Sequence, residues 1–241
     1  MPAAEIRVWT YWEGPRNAML DICEHSVASK VGSVWTPLNR NSVYSWMDLP
    51  PAVEDHDSPR VRSDYIRTRL LHDHGGVWLD SDVLLLSDIT SLVGVRPLAW
   101  REDHSTRKRL QGMSIGVMVF PFPGSPLLKT CLEAYSKKMR TTLRHSMAIY
   151  HSAWSKHKNE IRIGSHEDFY LIPAKEWERF WTNSALLDAP VKGLHLWDSI
   201  VRSYKKYTKH FKTVQTLVDN FPESVLANYA IRHMNAKKVP R

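Results

Sequence analysis

Between residues 58 and 86 the apolar positions change period twice. Val61, Tyr65, Ile66, Leu70 and Leu71 recur at helical spacing, with Ser58 and Pro59 standing where a cap and a first turn belong. Gly75 and Gly76 stop that run, and a glycine stop there would let the backbone pass close to a ligand. Val77, Trp78 and Leu79 follow as an apolar stretch too short for a helix and rich in strand formers, and it ends on Asp80, Ser81 and Asp82. The predicted order is helix, glycine stop, buried strand, acidic pair, and the remaining elements are arranged around it.

Upstream, Ile6, Val8, Thr10 and Trp12 alternate, which predicts a first strand over residues 5–12. A turn at Glu13, Gly14 and Pro15 leads to a helix from about Asn17 to Lys30. Ser33 to Leu38 reads as a second strand, Asn39 to Asn41 as its exit loop, and the proline-rich 48–59 as the approach to the central helix. Downstream, Val83–Leu86 is an apolar segment, 98–101 a further strand, Glu102–Gln111 a polar surface loop, Met113–Phe120 a strand and 127–139 a helix. Residues 141–158 read as helical or irregular, with His145, His151 and His157 solvated. Residues 199–234 read as two amphipathic helices broken near Pro222, Tyr204, Tyr207 and Phe211 forming a helical stripe. No internal repeat or linker is visible. Strands alternating with helices predict an α/β fold with a mostly parallel central sheet and helices on both faces, in a single domain over 1–241. Residues 1–120 would form its first half, which carries the acidic pair, and 121–241 its second, helical half.

With 43% apolar residues and ten tryptophans among 241 residues, the chain is globular rather than disordered. No run is apolar enough to span a membrane, and the opening residues lack a secretory signal's regions, so a cytoplasmic protein is expected. Two cysteines, Cys23 and Cys131, are too few for a disulfide scaffold and are read as reduced. The formal charge of +8 favours an anionic partner: a nucleotide diphosphate, a nucleic acid or an acidic membrane. Basic residues gather in 137–144 and 202–212, away from the acidic pair, which suits a metal site beside a basic face with peripheral membrane contact through the C-terminal half.

Two carboxylates one residue apart at the mouth of a buried strand repel unless a cation joins them. Oxygen ligands of this kind suit magnesium or manganese, which keep positions open for substrate phosphates. A bare Asp-x-Asp equally fits a solvated strand end. The preceding helix alters the balance, since Asp64 and Arg67, three apart, share one face.

Ser63, Asp64 and Arg67, followed by Gly75, Gly76, Val77, Trp78, Leu79, Asp80, Ser81 and Asp82, resemble the sugar-binding DXD region of glycosyltransferase family thirty-two. Capsular polysaccharide synthesis proteins and the clostridial glucosylating toxins share this region as S-D-x-x-R and G-G-x-Y/W-L-D-x-D. The resemblance covers about 25 residues densely and implies the type A glycosyltransferase fold and metal-dependent transfer of a sugar from a nucleoside diphosphate donor. A UDP-linked donor, a saccharide or lipid-linked acceptor and retention of configuration are implied as well; nucleic acid is not an expected partner. On this reading Asp64 and Arg67 hold the donor sugar, Asp80 contacts sugar or ribose, Ser81 adjoins the donor, and Asp82, with Asp80, ligates manganese or magnesium.

Further candidates follow from position. Trp12, in a W-x-G sequence like the family's, is either a base-stacking residue or part of the core. Asn39 and Asn41, beyond a strand's carboxyl end, are either ribose or base contacts or turn residues. Phe169–Pro173 resembles an F-Y-P-I-like segment, and Lys192–Asp198 an H-x-W-N/D element that closes over the diphosphate in related transferases. His195 is thus a candidate contact to the metal or β-phosphate, with a satisfied core histidine as the alternative. Paired carboxylates among basic groups also suit a metal-dependent nucleotidyltransferase or phosphohydrolase, and the charge alone suits a non-catalytic nucleic-acid-binding module.

Overall fold

A computed structural model describes residues 6–102, 113–138 and 146–237; Gln111, His145 and nearly all of the expected polar loop lie outside them. In chain order the elements are β1 (Val8–Tyr11), α1 (Ala18–Val31), β2 (Trp35–Leu38), α2 (Pro51–Glu54), α3 (Pro59–His74), β3 (Gly76–Leu79), β4 (Val83–Leu85), β5 (Leu98–Arg101), β6 (Met113–Phe120), α4 (Pro126–Lys138), α5 (Ser146–His157), β7 (Arg162–Gly164), β8 (Gly193–His195), α6 (Asp198–Val201), α7 (Lys205–Thr208), α8 (Val214–Asn220) and α9 (Val225–His233). They form two compact units interleaved along the chain. One comprises Met1–Gly14, Ser33–Asp80 and Ile89–Ser165, the other Pro15–Gly32, Ser81–Asp88 and His166–Arg241.

The first unit is built on a six-stranded sheet ordered β2-β1-β3-β6-β5-β7. It is mixed and mostly parallel: β1 runs parallel to β2 and β3, and β5 to β7, while β6 is antiparallel to β3 and β5. Successive residues of β1, β3 and β6 (Val8 and Trp9, Val77 and Trp78, Val119 and Phe120) are all fully buried, so both faces of these strands are covered. That is why β3 and β6 read as continuous apolar runs; the alternation expected of β1 gives way to burial on both faces, Trp9 being as buried as Val8. Helix α3 packs on β3 and β6, α4 on α3, and α5 on α4 and β6.

The chain leaves β1 for β2 on one side and returns to β3 on the other, so the strand order reverses between β1 and β3. Crevices outside the carboxyl ends of strands at such a point are where open α/β sheets bind ligands. Trp12 follows β1, Asn39 follows β2, and Asp80 follows β3.

Two local expectations are corrected. The Ser58 side chain does not cap α3; its backbone N–H is taken by His56 Nδ1 at 3.0 Å. The double glycine is required by strand packing rather than by a ligand. At Gly76, with φ +97°, a Cβ would lie 2.4 Å from the Arg7 carbonyl oxygen, and at Gly75, with φ +68°, 2.8 Å from that of Phe120. Trp9 Nε1 then donates to the Gly75 carbonyl at 2.9 Å.

In the second unit β4 and β8 form an antiparallel pair, and α1 packs on β4. Asn17 Oδ1 caps α1 by accepting from Leu20 N at 2.9 Å, and Ser26 Oγ within it accepts from Leu85 N at 2.9 Å. Residues 198–233 form four short helices instead of two, with Pro222 between α8 and α9. Of the aromatic stripe, Tyr207 lies against Trp177 and Phe211 stacks on Trp181, while Tyr204, also against Trp177, stays 45% exposed. Cys23 and Cys131 are free and buried, and burial pushes both thiols up, Cys131 to about 12. Among the described residues no helix is long and apolar enough to cross a membrane.

Candidate active site

Arg67 is the centre of the first unit's polar machinery. It is only 4% exposed. Its Nη2 lies 2.9 Å from Asp64 Oδ1, one helical turn back, and 3.0 Å from Asp80 Oδ1 at the end of β3. Nη1 donates to the Ile115 carbonyl of β6, and the guanidinium lies over the Trp78 ring at 5.1 Å. Trp78 Nε1 donates to the same Asp80 Oδ1 at 2.8 Å, and Asp80 N donates to the Gly116 carbonyl at 2.8 Å. Burial works against the Arg67 charge; Asp80 and Asp64 outweigh it, holding the guanidinium above its ordinary value. The helix, the strand and its antiparallel neighbour thus fix one carboxylate–guanidinium–carboxylate bridge at the sheet's reversal point.

Trp12 lies beside this end of the sheet, half-buried, with its N–H donating to the Leu38 carbonyl at 2.9 Å and its Nε1 to the Gly14 carbonyl at 3.2 Å. Trp9, by contrast, is fully buried in the core. Asn39 and Asn41 are exposed. The Asn39 side-chain oxygen accepts from Asn41 N at 2.8 Å and Ser42 N at 3.0 Å, the work of a turn residue. Between them stands a network that sequence reading missed. Glu13 is bridged by Arg62, whose Nε reaches its Oε2 at 2.8 Å, and Tyr11 OH donates to that oxygen at 2.6 Å. Burial raises Glu13, but the Arg62 and Tyr11 hydrogen bonds more than offset it, so its carboxyl titrates below the ordinary value. The W-x-G motif marked the place; nothing in it pointed to Arg62, 49 residues away.

In the second unit, Asp82 meets the segments around residues 169 and 195. Its Oδ1 lies 3.5 Å from His195 Nε2, its Oδ2 accepts from Asp198 N at 2.8 Å, and its carbonyl accepts from Leu196 N at 3.0 Å. His195 N donates to the Phe169 carbonyl at 2.9 Å, Trp197 Nε1 to the Ile172 carbonyl at 2.9 Å, and the Tyr170 and His195 rings are 5.2 Å apart. Trp197 adopts a left-handed conformation, φ 58°, rare for an aromatic residue. That turn directs the following N–H at Asp82. His195 is 8% exposed, so it is buried and beside a carboxylate at once. Asp198 is pushed up to about 6 by burial and then by Asp82, against the pull of Arg202 and His195. Of the solvated histidines expected on α5, His157 is instead held by Thr130 Oγ1 at 2.9 Å and Glu160 at 2.7 Å.

Within the second unit, Asp82 and His195 offer a carboxylate and an imidazole that could hold a metal ion. Ser81, half-buried in a turn, is the single residue between Asp80 and Asp82. Carboxylate oxygens and an imidazole are donors that suit a divalent metal ion.

The α/β fold with its mixed, mostly parallel sheet is a type A glycosyltransferase-like fold. The solved structure of the galactosyltransferase LgtC in complex with donor and acceptor sugar analogues is similar over 98% of both chains, with a TM-score of 0.51 and 12% identity. A structure of the glycosyltransferase GlyE from Streptococcus pneumoniae TIGR4 matches 98% of this chain and 66% of its own, with a TM-score of 0.51 and 11% identity. The apo form of GlyE matches 79% of this chain and 54% of its own, with a TM-score of 0.50 and 12% identity. The chain thus spans 54% to 66% of the length of the GlyE chains it resembles. At such identities the likeness concerns the fold. The family model for capsular polysaccharide synthesis proteins matches residues 3–162, and the chain belongs to that family.

Proposed function

We propose that this protein is a divalent-metal-dependent glycosyltransferase that moves a sugar from a nucleoside diphosphate donor, UDP-linked by preference, to a saccharide or lipid-linked acceptor with retention. The observation that carries the reading is the buried Arg67 bridging Asp64 and Asp80 where the strand order reverses. A wholly buried guanidinium tied to two carboxylates is poor value for stability, since apolar residues pack such a space at least as well. It makes sense as a preorganised frame for polar ligand groups. Asp64 and Arg67 orient the donor sugar, where orientation alone contributes several kcal/mol. Asp80 contacts sugar or ribose, and Trp12 offers a half-exposed π face to the base. Asp80, Asp82 and His195 would hold the ion, which when bound supplies Lewis-acid stabilisation of the leaving diphosphate. The aromatic stripe, packed through Tyr207 and Phe211, leaves Lys209 and Lys212 exposed on a basic face suited to an anionic membrane carrying the acceptor.

The test is a panel of UDP-, GDP- and ADP-sugars with and without manganese, read by thermal stabilisation and by release of the nucleoside diphosphate. Stabilisation and slow metal-dependent hydrolysis by one sugar nucleotide are expected, since a ligand that binds only the native state raises its melting temperature. Processing of nucleotides that carry no sugar would favour a nucleotidyltransferase or phosphohydrolase instead. Steeply salt-dependent binding of polyanions, without metal, would favour a nucleic-acid-binding module.

A further inference from the structure

Helix α5 carries Tyr150, fully buried, into contact with α3 beneath the Asp64–Arg67 turn. Tyr150 OH lies 2.6 Å from Thr68 Oγ1, and Thr68 Oγ1 lies 2.7 Å from the Asp64 carbonyl oxygen. The direction of both bonds is fixed by chemistry. A carbonyl only accepts, so the single Thr68 hydroxyl proton goes to Asp64 O, and Tyr150 must donate its own proton to Thr68 Oγ1. Both side chains are fully buried, so water does not compete for either bond. A threonine bonding back four residues ordinarily has a choice of rotamer. Here a second helix selects it.

We infer that Tyr150 and Thr68 are positioning residues for the proposed donor clamp, pinning the turn that carries Asp64 and Arg67 to α5. The inference rests on the glycosyltransferase reading for its kinetic consequence and on geometry for the link itself. Burial keeps the Tyr150 phenol protonated, as the donor role needs, and the Arg67 charge is close enough to act on it. The effect of Tyr150 and Thr68 would pass through the Asp64 peptide and the orientation of its side chain.

Two measurements test it. In the metal-loaded full chain, Tyr150→Phe and Thr68→Val should each lower kcat about tenfold, since small misplacements of positioning groups reach a hundredfold, while KM for the sugar nucleotide stays within about twofold. Thr68→Ser, which keeps the hydroxyl, should restore most of the rate. The double variant should be no slower than either single one, because the two groups act in series. Unchanged kcat, no rescue by serine, or multiplicative losses would overturn the inference. Independently of any activity, a double-variant cycle of unfolding constants for Tyr150→Phe against Asp64→Asn should depart from multiplicativity by at least about threefold. Multiplicative effects there would overturn the link, whereas an inactive wild type with a coupled cycle would count against the glycosyltransferase reading alone.

Discussion

Replacing Arg67 by lysine keeps the charge and removes the fork. The guanidinium serves Asp64 Oδ1 and Asp80 Oδ1, 2.9 and 3.0 Å away, from Nη2, and the Ile115 carbonyl from Nη1. It does so in a plane that also lies over Trp78. A lysine ammonium is a compact point charge on a flexible stem and does not reproduce that planar spread. One charge-assisted hydrogen bond is lost, so Arg67→Lys should cost about 1.5–3 kcal/mol of stability. Arg67→Met removes the charge as well and leaves two neighbouring carboxylates unbalanced. The Asp64 side chain, 5% exposed against 25% for Asp80, suffers the more. Breaking a buried pair from one side costs about 3–5 kcal/mol, so methionine should be the worse replacement. Urea unfolding gives both values, and turnover of the sugar nucleotide should fall about a hundredfold in Arg67→Lys as the clamp loses its geometry. If Arg67→Lys unfolded within 0.5 kcal/mol of wild type, the span of ordinary surface changes, and kept its turnover, the bridge would be an incidental ion pair.

Three further outcomes are expected. Asp80→Asn and Asp82→Asn should abolish transfer while leaving circular dichroism and cooperative unfolding intact, because the strand ends are held by backbone bonds such as Asp80 N to Gly116 O at 2.8 Å. Trp12→Ala should weaken nucleotide binding by about 1–3 kcal/mol with little change in melting temperature, whereas Trp9→Ala, in the core, should cost about 3–5 kcal/mol of stability. Glu13 titrates below its ordinary value of 4.5 when folded. Its stabilising contribution is therefore present above that pH and lost as pH falls through the lower folded value, and Glu13→Gln should flatten the acid-side decline of stability.

The central helix, the glycine stop and the acidic pair were legible because each is written in local periodicity. Asp64 and Arg67 were recognisable as partners because three residues along a helix is one face. Burial of β3 and β6 was legible as well, but direction was not, since a strand covered on both faces reads alike whether parallel or antiparallel. That is why the antiparallel β6, and with it the Ile115 carbonyl that completes the Arg67 bridge, had no signal. The same holds for Arg62 on Glu13, Tyr150 on Thr68 and Asp198 on Asp82, pairs separated by 49, 82 and 116 residues. The glycine pair was visible but its cause was not: a packing demand from the Arg7 and Phe120 carbonyls looks, in sequence, like room left for a ligand.

A crystal structure with a non-hydrolysable sugar nucleotide and manganese bears most directly on the proposed site. An anomalous manganese peak should lie within coordinating distance of Asp82 and the diphosphate, with His195 in contact with one of them and the sugar hydroxyls on Asp64 and Arg67. Manganese elsewhere, a sugar clear of Arg67, or His195 more than about 6 Å from both ion and diphosphate, beyond even a water-bridged contact, would refute the assignment of these residues.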